Sequence, residues 1–179
     1  LSSEVVAGCA VNTTRKPFND VRVRQAISLA IDRKAVMDAV VFGDAQVSGV
    51  LPPTMGDWAV PVADLSYFKP DIAKAKSLLA DAGYPNGFRL TFWNTALPGT
   101  PFMFQIGEAV AGFWEKIGIK VEAKSAEYGV FDPMTRGEQK GLAGTASMFR
   151  TVSRPEPHLA ILLQRLGLTL PKHLKTHEV

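Results

Sequence analysis

The side chains best suited to chemistry are two arginines in the stretch Phe149-Arg150-Thr151-Val152-Ser153-Arg154-Pro155-Glu156-Pro157. A guanidinium makes forked, charge-assisted hydrogen bonds to a carboxylate, and two of them a few residues apart could clamp one. An apolar run, Leu142 to Phe149, reads as a strand and would set the arginines in the loop at its C-terminal end. Open α/β sheets place their ligands there. The same side chains could instead cap exposed carbonyls or pair with Glu156, and the residues alone favour that plainer role.

Other chemistries find less support. His173 and His177 stand four apart, a spacing that suits a metal on a helix, but no carboxylate lies between them to make a zinc-protease motif. No serine occupies a Gly-x-Ser-x-Gly elbow. Cys9 lies within EVVAGCAVN with no local partner to activate it, which reads as a buried, inert thiol. Glu122 and Glu127 share no pocket that the sequence assigns, and no Gly-x-Gly-x-x-Gly or Walker loop occurs. The sequence therefore calls for no enzyme, cofactor or metal.

Three further arginines, Arg22, Arg24 and Arg33, interrupt the run KPFNDVRVRQAISLAIDRKAVMDAV. A nucleic-acid-binding surface needs a dense basic stripe. Here Asp20, Asp32 and Asp38 are interleaved with the cations, so a solvated helix surface is the better reading. Net charge is only +3 over 179 residues, with 46% hydrophobic and 21% charged content. That composition suits one domain with a real core. A basic nucleic-acid-binding domain is the alternative, and it would show affinity falling steeply with salt. The single cysteine excludes an internal disulfide, and no apolar run reaches the ~18 residues a membrane-spanning helix requires.

The elements that must position these groups follow from periodicity. Val5 to Val11 reads as a strand. Asn19 or Asp20 caps a helix whose inner face is Val23, Ala26, Ile27, Ala30 and Ile31, with Phe18 packing back on its first turn. Asp32 caps a second helix, Arg33 to Val40. Residues 43–69 are a long loop, with Trp58 and Tyr67 as anchors. Pro70 to Ala82 is a helix starting at Pro70 and closed by Gly83, with Ile72, Ala75, Leu78, Leu79 and Ala82 inward. Phe88 to Trp93 alternates as a strand. Thr100 and Pro101 open a helix to Lys116, with Ile106, Ala109, Val110, Phe113, Trp114 and Ile117 inward, and a strand with Ile119, Val121 and Ala123 follows. Strand, helix and strand make a βαβ unit, and Pro133 limits a short helix within residues 128–140. The fold class is α/β, a single layered domain with a central mixed sheet flanked by helices.

Several segments carry a resemblance. NTTRKPFNDVRVRQAISLAIDRKAV, from Asn12, is similar to the N-x-x-x-x-P-F-x-D-x-R-V-R-Q-A segment of family 5 extracellular solute-binding proteins, the peptide- and nickel-binding receptors of ABC importers. Leu51-Pro52-Pro53 with Trp58, FKPDIAKAKSLLADAGYPNGFRLTFWN and IGIKVEAKSAEY resemble further segments of that family in the same order, from about Val5 to about Leu162. Departures are Lys69 at the usual aspartate cap before Pro70, Phe149-Arg150 for Gly-Trp, and Ser153 and Glu156 in SRPEP for the family's glycine and aspartate. An aspartate that some branches carry near Ser153 is missing, which puts a simple dipeptide ligand in doubt.

The resemblance implies a lobe of a type II periplasmic binding protein. Residues 1–166 would be the second lobe of a longer two-lobed chain, and residues 167–179 read as a tail foreign to the family, which a non-native origin would explain. It implies ligand contacts from Asn94 and Thr95 at a strand end, an aromatic wall from Tyr128, and a carboxylate or an opposing lobe's acids at Arg150 and Arg154. The implied partners are a peptide or peptide-like solute, the membrane permease and the first lobe, in the periplasm and with no nucleic acid. Peptide, glutathione-like, opine, nickel-chelate and sugar solutes all remain open.

Overall fold

Strand β1 (Val5–Val11) pairs antiparallel with β4 (Ala146–Val152) along its whole length, Val5 opposite Val152 and Val11 opposite Ala146. β4 pairs parallel with β2 (Arg89–Trp93) through Phe92–Ala146 and Trp93–Ser147, and β2 pairs parallel with β3 (Lys120–Lys124). The mixed sheet thus runs β1-β4-β2-β3. This computed structural model describes residues 5–49, 53–96, 98, 100–135 and 145–152. The tail and Arg154 lie outside them, as does the side chain of Trp58.

Alternation in β2 decides which face becomes core. Leu90 and Phe92 are fully buried, and Phe92 meets Trp114 edge-on with ring centroids 5.2 Å apart. Trp114 belongs to α4 (Met103–Glu115), so α4 covers this face. Phe18 reaches the same core and packs edge-on against Phe88 at 6.1 Å, so it serves the main core as well as its own helix. Trp93 points to the opposite face, where its ring stacks obliquely on Phe131 of α5 (Tyr128–Thr135) at 6.3 Å. β3 is an edge strand with Lys120, Glu122 and Lys124 exposed, the last two 3.7 Å apart.

The C-terminus of α1 (Val21–Leu29) joins the helical layer together. The last carbonyls of a helix lack partners within it. Here each of three is met by a different element. The Ile27 carbonyl accepts from the Trp114 indole at 3.1 Å. The Ser28 carbonyl accepts from Arg33 at 3.1 Å, at the start of α2 (Arg33–Val41). The Leu29 carbonyl accepts from the Asp71 N–H at 2.9 Å, just before α3 (Ile72–Asp81).

The arginines that interrupt the first helices turn out to be ties between chain segments. Arg33 also reaches the carbonyls of Ile31 and Phe68 and lies 3.9 Å over the Phe68 ring. Burial lowers its pKa to about 10, which leaves it charged at neutral pH. Arg24 donates to the Phe18 carbonyl at 2.7 Å, and Arg22 bridges Asp20 to the Asp81 carbonyl of α3 at 2.6 Å. The long loop holds three 3-10 turns, Pro53–Trp58, Val62–Asp64 and Ser66–Phe68. Phe68 anchors it under Arg33, and Tyr67, whose ring is on the surface, ties it through its carbonyl, which accepts from the Ser28 hydroxyl at 2.8 Å.

Several boundaries differ from the sequence reading. Asp20, not Asn19, caps α1, with its carboxylate 2.8 Å from the Arg22 N–H. α3 starts two residues after Pro70, because Asp71 itself caps it by accepting from the Lys74 N–H at 2.8 Å. The Lys69 departure therefore costs no cap. Its other end closes on Gly83 (φ 90°), with Tyr84 N–H on the Leu79 carbonyl and Gly83 N–H on the Ala80 carbonyl. α4 begins at Met103, since Thr100 is used in a turn whose carbonyl accepts the Met103 N–H at 3.1 Å. Its buried stripe is Met103, Gly107, Val110, Trp114 and Ile117, while Phe113 is only half-buried and carries Lys116 on its ring.

Two outcomes test these ties. Asp71→Ala should cost about 1 kcal/mol in denaturant unfolding, and Lys69→Ala less than about 0.5 kcal/mol. Arg33→Lys, which keeps the charge and loses the fork, should cost about 1–2 kcal/mol.

Candidate functional site

The C-terminal ends of β2 and β3 open the site. Parallel pairing brings Trp93 beside Lys124, and the Asn94 N–H extends the ladder to the Lys124 carbonyl at 2.8 Å. The chain then turns toward α4, and β3 leads into α5, so this edge of the sheet lies among loops and helix starts. In open α/β sheets that is the ligand-bearing edge.

Asn94 and Thr95 are buried at 2% and 1% exposure, as deep as core residues. The Asn94 side-chain amide donates to the Phe104 carbonyl at 2.9 Å, bracing the strand end against the first turn of α4. Its carboxamide fills the space where Gly107 has no side chain, and an added Cβ there would overlap it. Tyr128 is half-buried at the start of α5, its hydroxyl 3.1 Å from the Asp132 carboxylate. Phe131, one turn on, carries Trp93.

Buried polar groups nearly always find a partner. Among the described residues, the buried side-chain atoms without one are Trp93 Nε1, Asn94 Oδ1 and Thr95 Oγ1, three consecutive positions. They offer a donor, an acceptor and a hydroxyl able to do either. Their concentration at one strand end distinguishes this place from the rest of the core.

The sequence reading placed Asn94, Thr95 and Tyr128 in one region, and the structure sets them at the ends of β2 and β3. Arg150 differs. Phe149, Arg150, Thr151 and Val152 are part of β4, which therefore starts and ends later than the run Leu142 to Phe149. The seven-residue β1 supplies a template that keeps the chain extended through Val152, and Arg150 pairs with the small, exposed Ala7. It lies three residues beyond Ser147, about 10 Å along the strand past the end of β2. Trp93 and Gly107 escaped the sequence reading. The first could have been found as the outward position of an alternating strand, and the second as a lone glycine on the inner face of a helix.

Cys9 pairs across from Met148 in β1 and is half-buried. Desolvation of its sulfur pushes the thiol up to about 12, against a smaller opposing effect of a hydrogen bond with the Ser147 backbone. It is protonated and unreactive at neutral pH. Among the described residues no group of three or more His, Cys, Asp or Glu side chains could hold a metal, and no helix is long and apolar enough to cross a membrane.

Residues 3–159 match the family described as "Bacterial extracellular solute-binding proteins, family 5 Middle". The chain belongs to this family. Family 5 proteins are binding proteins, and the relatives include heme-binding protein A of Haemophilus influenzae, 39% identical over 69% of this chain and 22% of that protein. Di/tripeptide-binding protein 1 of Pseudomonas aeruginosa is 35% identical over 72% of this chain and 24% of its own length. The family 5 chain thus spans about a quarter of each of these relatives. Among solved structures, the dipeptide-binding protein of Pseudoalteromonas in complex with Met-Leu aligns over 97% of this chain and 39% of that one, with TM-score 0.73 and 25% identity. The periplasmic binding protein DppA of Helicobacter pylori in complex with the peptide STSA covers 86% of this chain and 28% of its own, with TM-score 0.68 and 28% identity. The fold is that of part of a type II periplasmic binding protein.

Gly107→Ala should raise intrinsic helix propensity by about 1 kcal/mol yet lower the melting temperature, because Asn94 must leave its place. Adding Asn94→Ala to that variant should cost much less than Asn94→Ala alone, a coupling that a double-mutant cycle would read.

Proposed function

We propose that this family 5 chain is the second lobe of a two-lobed periplasmic receptor that encloses a peptide or related small solute and hands it to an ABC importer. The observation that carries this reading is the placement of β1 and β4. They run side by side in opposite directions, with Val5 opposite Val152, so the start of β1 and the end of β4 lie at one place. That place lies beyond the C-terminal end of β2, on the side of Trp93, Asn94 and Thr95. A pair of antiparallel strands whose ends lie together beside a polar strand end suits a hinge over which a first lobe could close on solute.

In this arrangement residues 1–166 form the lobe, with the tail at 167–179 outside it. Asn94, Thr95 and Tyr128 line one wall of the cleft, and Arg150 and Arg154 answer a carboxylate of the solute or acids of the first lobe. The lobe does no chemistry. It supplies half of an enclosure, and the closed form docks on the permease. The family's extracellular setting and its peptide-binding relatives support this reading.

Titration calorimetry on a two-lobed protein carrying this sequence tests the reading with di- and tripeptides, with heme as a second probe. Arg154→Ala should weaken an anionic peptide by about 1.5–3 kcal/mol, and Thr95→Val by about 0.5–1.5 kcal/mol. Unchanged affinities would remove those residues from the cleft. Binding of heme with no response to any peptide would overturn the solute class and leave the family intact.

A further inference from the structure

Among the described residues two tryptophans have a buried indole N–H, and they differ in one respect. Trp114 donates to the Ile27 carbonyl at 3.1 Å, so the helical layer meets the donor at its centre. Trp93 Nε1 is equally withdrawn from solvent and has no partner. The residue itself is half-buried, and its ring is supported on one side by Phe131, 6.3 Å away and tilted 39°. Parallel pairing to Lys124 holds its backbone, and the Asn94 N–H bond to the Lys124 carbonyl holds the next residue. The indole is thus positioned by packing on its face and pairing along its strand, with only its hydrogen-bonding function unused.

An indole can donate and cannot accept. Its natural complement is an oxygen, and an ammonium group or a bare metal ion is refused. Leaving such a donor unmet inside a protein is costly. This one persists at the sheet edge where ligands of open α/β folds are held, on the face opposite to Asn94 Oδ1, which lies against Gly107 of α4.

We propose that the Trp93 indole N–H is a solute-contacting donor that meets a carbonyl or carboxylate oxygen of the solute when the lobes close, an inference that rests on the receptor reading above. It makes Trp93 a determinant of specificity for acceptor-bearing solutes.

Replacing the Trp93 indole with benzothiophene, as 3-benzothienylalanine, tests it, since sulfur in place of the N–H keeps the bicyclic ring against Phe131 and deletes only the donor. In the two-lobed protein the peptide Kd should rise roughly five- to tenfold. The melting temperature without solute should stay level or rise, because an unmet donor has been removed. If the loss persists on C-terminally amidated peptides, the acceptor is a carbonyl; if it is confined to free acids, it is the terminal carboxylate. An unchanged Kd overturns the proposal. So does a lower melting temperature without solute, which would mean that the protein already supplies the acceptor. Failure of the unmutated protein to bind any peptide would overturn the receptor reading itself.

Discussion

The carbonyls that end α1 are the constraint on which the helical layer depends. A helix must find partners for its last carbonyl groups, and here other elements of the chain supply them. Ile27 takes the Trp114 indole, Ser28 takes Arg33 and Leu29 takes the N–H of Asp71. Three successive carbonyls thereby position α4, α2 and α3. Because Trp114 also meets Phe92, the position of α1 is transmitted to the sheet. Loss of the Trp114 or Asp71 donor would leave a polar group unpaired at the junction of four elements, a larger cost than the bond alone, whereas the Ser28 carbonyl would keep the Ile31 N–H at 3.3 Å.

The same arithmetic explains how far the sequence could be read. Periodicity exposed the inner faces of α1 and α3 and the alternation of β2, since burial acts on residue type at fixed spacing. It could not tell that Arg24 and Arg33 would be spent on backbone carbonyls of the chain itself, because those carbonyls belong to every residue and leave no mark in composition. The start of α3 was missed for a similar reason. Pro70 and Asp71 both suit a helix start, and only the Asp71 side chain on the Lys74 N–H decides between them.

At the candidate site, the places of Asn94 and Thr95 after β2 and of Tyr128 after β3 were legible because the alternation of both strands marks where they end. Arg150 was legible as a residue and not as a position. Its strand is prolonged by pairing with β1, some 140 residues earlier in the chain, and local sequence cannot anticipate such a partner. Trp93 was hidden by its own hydrophobicity, which makes it pass for one more strand residue until its unpaired nitrogen is noticed. Places where local rules are obeyed and a polar group is still left over are where function tends to reside.

The edge strand β3 governs how one copy of the molecule meets another. Its exposed charges alternate as Lys120, Glu122 and Lys124. If two copies joined by antiparallel pairing centred on Glu122, glutamate would face glutamate and each Lys120 would face a Lys124. Pairing the same residues in parallel would stack each charge on its own kind. Like charges directly opposite one another disfavour strand pairing. In these two registers the charge pattern of the edge itself works against joining copies of the molecule through β3.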